Sequence, residues 1–245
     1  MKKSAIITSI IEPTNLKYKQ MPTQERLQQT VFTVSSLISQ IRDIEIYLID
    51  ASLNDFSKIF VSCYPNVNYI HLNSIDSRLA NIALTSSKSR GECLLIRKAI
   101  DLFPQILESD FLIKASGRYF FENLISDYFG PSNFNKYMFV RREADKRNWI
   151  DDNGYDYSKL KNVAFPSDFR NVLTSILYAV GRDELHLYYD ILGKCIDKID
   201  KECFYYDIEN LLYYFLAQHD FEGRIVATDW VIRGWNGENY EYMNL

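Results

Sequence analysis

Short apolar runs at 4–11, Ile44 to Ile49, Val67 to Leu72 and Phe111 to Ile113 alternate with segments of helical periodicity. That alternation confines the chain to βαβ units around a mostly parallel sheet, an α/β domain with helices on the faces. The first helical segment runs from Thr23 to Ile41, with Leu27, Val31, Val34, Leu37, Ile38 and Ile41 on one face. A short helix fills 53–63. A second long one fits 92–107, with Leu95, Ala99, Leu102, Phe103 and Ile106 inward. Ligands of such sheets bind beyond the carboxyl ends of the strands. Thr8, Ser9, Asp50 and Lys114 to Arg118 are thereby expected on one rim.

The second half is less regular. Residues 136–141 read as a strand, and 144–162, charged and polar, as a mobile loop. Helices are expected around Leu185, Tyr189, Leu192, Ile196 and Ile199, and over 207–218. Arg224 to Ala227 is another strand, ahead of a tail carrying Trp230, Arg233 and Trp235. No repeat or linker divides the 245 residues, so one domain is expected. Its first part, 1–120, would bind a nucleotide and 121–245 would shape an acceptor site.

Bulk composition narrows the class. Hydrophobic residues make up 47% of the chain, enough for an enzyme-sized core. The net charge of −4 argues against nucleic acid as a partner. Cys63, Cys93, Cys195 and Cys203 form no CxxC pair, which fits neither a zinc site nor a disulfide framework and points to a reducing compartment. The apolar stretch behind Met1-Lys2-Lys3 is short and closed by Glu12, unlike a signal peptide. Nothing approaches the roughly 20 apolar residues of a membrane helix. The expectation is a cytoplasmic protein, with peripheral association at the inner face of the cell membrane.

The segment Lys114-Ala115-Ser116-Gly117-Arg118-Tyr119 carries the most chemistry. A buried strand that delivers a lysine and an arginine around a Ser-Gly turn needs counter-charges, either an anionic ligand or structural carboxylates. Gly117 would let backbone approach a ligand, and Lys and Arg are natural partners of phosphate oxygens.

This block is similar to the Lys-x-(Ser/Thr)-Gly-Arg-Tyr block of bacterial glycosyltransferases of surface-polysaccharide synthesis. Glu25-Arg26-x-x-Gln29-Thr30 and Lys88-Ser89-x-Gly91-Glu92 also resemble segments of that group. So do the strand ends Thr8-Ser9 and Ile49-Asp50-Ala51-Ser52. The resemblance covers residues 4–120 well and implies a GT-A-like domain. It implies transfer of a sugar from a nucleotide-diphosphate donor to a growing, lipid-linked glycan such as capsule or lipopolysaccharide. Many GT-A enzymes place a metal-holding Asp-x-Asp motif where this chain has Lys114 and Arg118. Fixed cations can stabilise charge on a leaving diphosphate, so no divalent metal and no other cofactor is expected.

The donor set implied is Thr8, Ser9, Glu12, Arg26, Asp50, Lys88, Lys114, Ser116, Gly117, Arg118 and Tyr119. Asp50 is either a ribose contact or a cap of the next turn, and Arg26 either faces the diphosphate or bridges on its own helix. Asp207 or Glu209 would be the base that deprotonates the acceptor. The helix dipole alone also favours acids there. Trp230, Arg233 and Trp235 would close over the acceptor or pin the C-terminus. A non-catalytic nucleotide-sugar-binding subunit and, less favoured, a nucleotidyltransferase are the alternatives.

Overall fold

A computed structural model describes residues 1–13, 21–124, 126–142, 172–202, 208–216, 218–219, 223–235 and 242–244. The loop expected over 144–162 lies outside them, as do Asp207 and Cys203. Five strands and five helices make up the first half, alternating singly through the first three strands, after which three helices precede the last two strands. They are β1 (Lys3–Ser9), α1 (Thr23–Gln40), β2 (Ile44–Asp50), α2 (Ser57–Cys63), β3 (Val67–His71), α3 (Leu72–Ile75), α4 (Ser77–Thr85), α5 (Lys88–Leu102), β4 (Phe111–Ser116) and β5 (Tyr119–Glu122). Then follow β6 (Tyr137–Arg142), β7 (Val172–Gly181), α6 (Leu185–Glu202), α7 (Ile208–Leu216), β8 (Ile225–Thr228), β9 (Val231–Trp235) and β10 (Tyr242–Asn244).

Seven strands form one sheet in the order β3-β2-β1-β4-β7-β6-β8, so strands from both halves of the chain share it. β3–β2, β2–β1, β1–β4 and β6–β8 are parallel, whereas β7 runs antiparallel to both its neighbours. A small antiparallel sheet, β10-β9-β5, packs by its β5 strand on α1. Strand side chains alternate between two cores. Ala5, Ile7, Phe111, Ile113 and Ala115 face the α1 side, while Ile6 and Leu112 face α5, α6 and α7. By that alternation Lys114 points with Leu112 into the helix layer. Among the described residues no helix is long and apolar enough to cross a membrane.

The helix expected over 92–107 begins four residues earlier, where Ser87 caps it by accepting from the Arg90 amide at 3.3 Å. It stops at Leu102 because Phe103 precedes a proline and is forced out of helical geometry (φ −132°, ψ 72°). Pro104–Glu108 then forms a 3-10 turn.

Candidate active site

The register of the parallel strands builds the rim. Thr8 pairs with Ser116 across β1 and β4, and Ser9 with Asp50 across β1 and β2, so three strand ends finish side by side. The turn after β4 is fastened from two directions. Gly117 N donates to Thr8 O at 2.9 Å, and Thr30 and Thr33 of α1 donate to the carbonyls of Gly117 and Tyr119 at 2.8 and 2.5 Å. A Cβ on Gly117 would lie 3.1 Å from the Ser9 side chain. The absence of a side chain at Gly117 thus lets the turn pass close over the end of β1.

A cleft opens over this rim, walled on one side by the α4–α5 corner. Thr8, Ser9 and Ser116 line its floor, with Arg26, Lys88 and Arg118 around them. Of the three cations, Arg26 is buried and donates to Ile10 O at 3.4 Å, bracing the end of β1. Arg118 and Lys88 have no carboxylate within ion-pair distance among the described residues. The Arg118 guanidinium lies 5.7 Å from the Tyr119 ring centre. The cleft therefore presents two uncompensated cations and a row of hydroxyls, a setting for a polyanion.

Lys114 does not join them. Its side chain is fully buried, and its ammonium is held by Glu92 of α5, by Ser116 Oγ at 2.9 Å and by Ser175 O at 2.5 Å. The expected diphosphate ligand is in this structure the buried half of an ion pair. Burial pulls its ammonium below the usual lysine range; nearby Glu209 opposes that, and Lys88 and Arg118 add to it. Direct contact with the Glu92 carboxylate favours the charged form of both partners. Glu209 accepts the Ser175 amide at 2.9 Å and lies behind Lys114, outside the cleft lining. Glu92, absent from the expected set, does line the cleft.

No family model and no curated protein matches the sequence. Solved structures do match in shape. Mouse xyloside xylosyltransferase 1 in its apo form superposes with a TM-score of 0.52 at 11% identity, over 93% of this chain and 84% of that one. An active-site mutant of LgtC gives 0.55 at 10% identity, over 92% and 72%. The galactosyltransferase LgtC bound to donor and acceptor sugar analogues gives 0.51 at 9%, over 92% and 73%. The fold is GT-A.

Within the GT-A sheet, Asp50 is a strut. It is fully buried and accepts from the Ile11 amide at 3.2 Å, Ser52 Oγ at 2.8 Å and the Tyr69 hydroxyl at 3.0 Å. These bonds shape the Ile10–Glu12 exit of β1 from below and tie Asp50 to the turn that follows β2, the capping role that was one of its two expected readings. Glu12 is tied alongside, its amide donating to Ser52 Oγ at 2.9 Å and its carboxylate accepting from Asn54 at 2.7 Å. Burial raises the Asp50 carboxyl to about 6, partly offset by the hydrogen bonds it accepts from Ser52, Ile11 and Tyr69. A carboxyl raised on folding contributes stability that is complete below its unfolded value, near 4, and lost as pH climbs through 6. The unfolding free energy of wild type minus that of Asp50→Asn should therefore fall by ~2–3 kcal/mol between about pH 4 and 7.5. Chemical denaturation of both proteins across that range measures it; a flat difference would refute the assignment.

The acceptor candidates fall elsewhere. Trp230 is buried, stacked on Phe129 at 5.7 Å and edge-on to Tyr128, so it belongs to the core. Arg233 pairs with Glu122 across the small sheet at 3.0 Å. The Trp235 backbone closes β9 against Tyr242. Of these residues, Arg233 ties the C-terminal hairpin to β5, and neither it nor Trp230 lines the cleft. Tyr119 is likewise core, 3% exposed.

Proposed function

We propose that this chain is a glycosyltransferase that takes a sugar, a hexose by preference, from a nucleoside-diphosphate donor. The observation that carries the proposal is the pair Arg118 and Lys88. Both line the cleft over the strand ends of a GT-A sheet, and neither has a carboxylate partner among the described residues. In transfer, an acceptor hydroxyl oxygen attacks the anomeric carbon and gives up its proton to a general base or to solvent, while the bond to the donor phosphate breaks and leaves negative charge on the diphosphate. A guanidinium and an ammonium fixed beside that phosphate stabilise the departing charge. On this reading the reaction runs without a divalent metal, because Arg118 and Lys88 would supply the positive charge that a metal supplies elsewhere. The resemblance of the Lys114–Tyr119 block supports a bacterial surface glycan, lipid-linked at the cytoplasmic face of the membrane, as acceptor.

A thermal-shift series with UDP, GDP and their sugar derivatives, in excess chelator, tests the reading. The fitting nucleotide at a hundred times its Kd should stabilise the fold by about 2.7 kcal/mol, roughly 5–11 °C in Tm. A shift abolished by chelator and restored by manganese would refute metal independence. No shift with any nucleoside diphosphate would refute the function.

A further inference from the structure

Among the described residues, Glu92 is the one carboxylate lining the cleft, whose other polar groups are cations and hydroxyls set in an apolar wall of Ile10, Ala83, Leu84 and Leu95. A carboxylate there opposes an incoming diphosphate, so its presence needs a reason. Its side chain is 7% exposed, and one of its oxygens, Oε1, is held by Lys114. The other, Oε2, has no hydrogen bond among the described residues, and the residue borders the cleft. An ionised acceptor-only group, locked from behind with one oxygen open, suits hydroxyl donors. The part of a nucleotide sugar that is rich in hydroxyls and free of charge is the sugar.

We propose that Glu92, positioned by Lys114, binds hydroxyl groups of the transferred sugar and selects neutral sugars against uronic acids. The inference rests on the nucleoside-diphosphate reading of the same cleft and deepens it. The physical ground is an asymmetry. A neutral hexose offers Oε2 a hydroxyl proton, whereas a uronate brings a second carboxylate into a partly desolvated site that already holds one. Like charges juxtaposed in such a setting are strongly disfavoured. Lys114 cannot relieve the repulsion, because its ammonium protons are directed at Glu92, Ser116 and Ser175.

The test uses the nucleoside diphosphate that the wild-type protein binds, its neutral hexose derivative, and the corresponding uronate: UDP, UDP-glucose and UDP-glucuronate, or GDP, GDP-mannose and GDP-mannuronate. Calorimetric Kd values are expected to show the uronate at least about tenfold weaker than the neutral hexose in wild type. In Glu92→Gln that gap should close to within about threefold, while affinity for the plain nucleoside diphosphate holds or rises. If Glu92→Gln melts too low to assay, the double change E92Q/K114Q removes both charges of the pair and is read in the same way. Equal wild-type affinity for hexose and uronate would overturn the inference. So would a gap that survives removal of the carboxylate, the result expected if Glu92 only neutralises Lys114. Failure of every nucleoside diphosphate to bind would instead overturn the proposed function.

Discussion

Replacing Lys114 with methionine should cost the fold about 3–5 kcal/mol, a fall in Tm of roughly 6–20 °C. The change leaves the Glu92 carboxylate facing an apolar side chain, with the Ser175 carbonyl robbed of its lysine donor. Removing one member of a buried ion pair strands the other, which is what makes the single change expensive. Glu92 borders the cleft and can recruit water there, so the lower end of the range is the firmer figure. The double variant Lys114→Met with Glu92→Leu should recover most of the loss, because an apolar pair of similar volume needs no desolvated charge. Chemical denaturation of wild type, single and double variants decides it. A single variant as stable as wild type would show that Lys114 is free to serve a ligand, as the sequence alone suggested.

That suggestion illustrates what was legible in the residues. The convergence of Thr8, Ser9, Ser116 and Arg118 followed from the strand-end rule, since parallel strands in register must finish together. The direction of each side chain at that rim follows a different rule, the two-residue alternation of a strand. Phe111, Ile113 and Ala115 share one face, so Lys114 falls with Leu112 toward α5 and α7. The Lys-x-Ser-Gly-Arg turn admits an anionic ligand or structural carboxylates, and for Lys114 the strand alternation favours the second. Glu92 lies 22 residues upstream, on a helix whose start was placed at Glu92 itself, so its partnership with Lys114 had no local mark.

The elements left unread share a physical cause. β7 is a continuous apolar run interrupted by Thr174 and Ser175, both buried, and it inserts antiparallel between β4 and β6. Buried on both faces, it shows no alternation to separate it from a helix core. β5, β9 and β10 are three to five residues long; β5 holds its shape by pairing with β9 across more than a hundred residues, and β10 only by pairing with β9, neither of which local propensity can announce. α4 did carry a sign, Asp76 capping it by accepting from the Leu79 amide at 2.9 Å.

Arg118→Lys separates a bidentate phosphate clamp from a simple positive charge. Arginine presents a planar fork that holds two phosphate oxygens at once, whereas lysine offers a point charge on a flexible stem. If Arg118 clamps the leaving diphosphate, the change keeps net charge yet lowers kcat/KM by roughly ten- to a hundredfold, about 1.4–2.7 kcal/mol. The fold should barely respond. Arg118 has no ion pair among the described residues, and the turn it sits on is held by the Gly117 amide donating to Thr8 O and by the Thr30 and Thr33 hydroxyls donating to the Gly117 and Tyr119 carbonyls. Its contact with the Tyr119 ring, at 5.7 Å, is long enough to contribute little. Arg118→Lys is thus the counterpart of Lys114→Met: one change removes function and spares stability, the other does the reverse. Melting temperature and donor turnover measured on the same purified variant read both quantities. A destabilised Arg118→Lys protein that still turns over donor at the wild-type rate would remove the clamp, and with it the observation on which the proposed function rests.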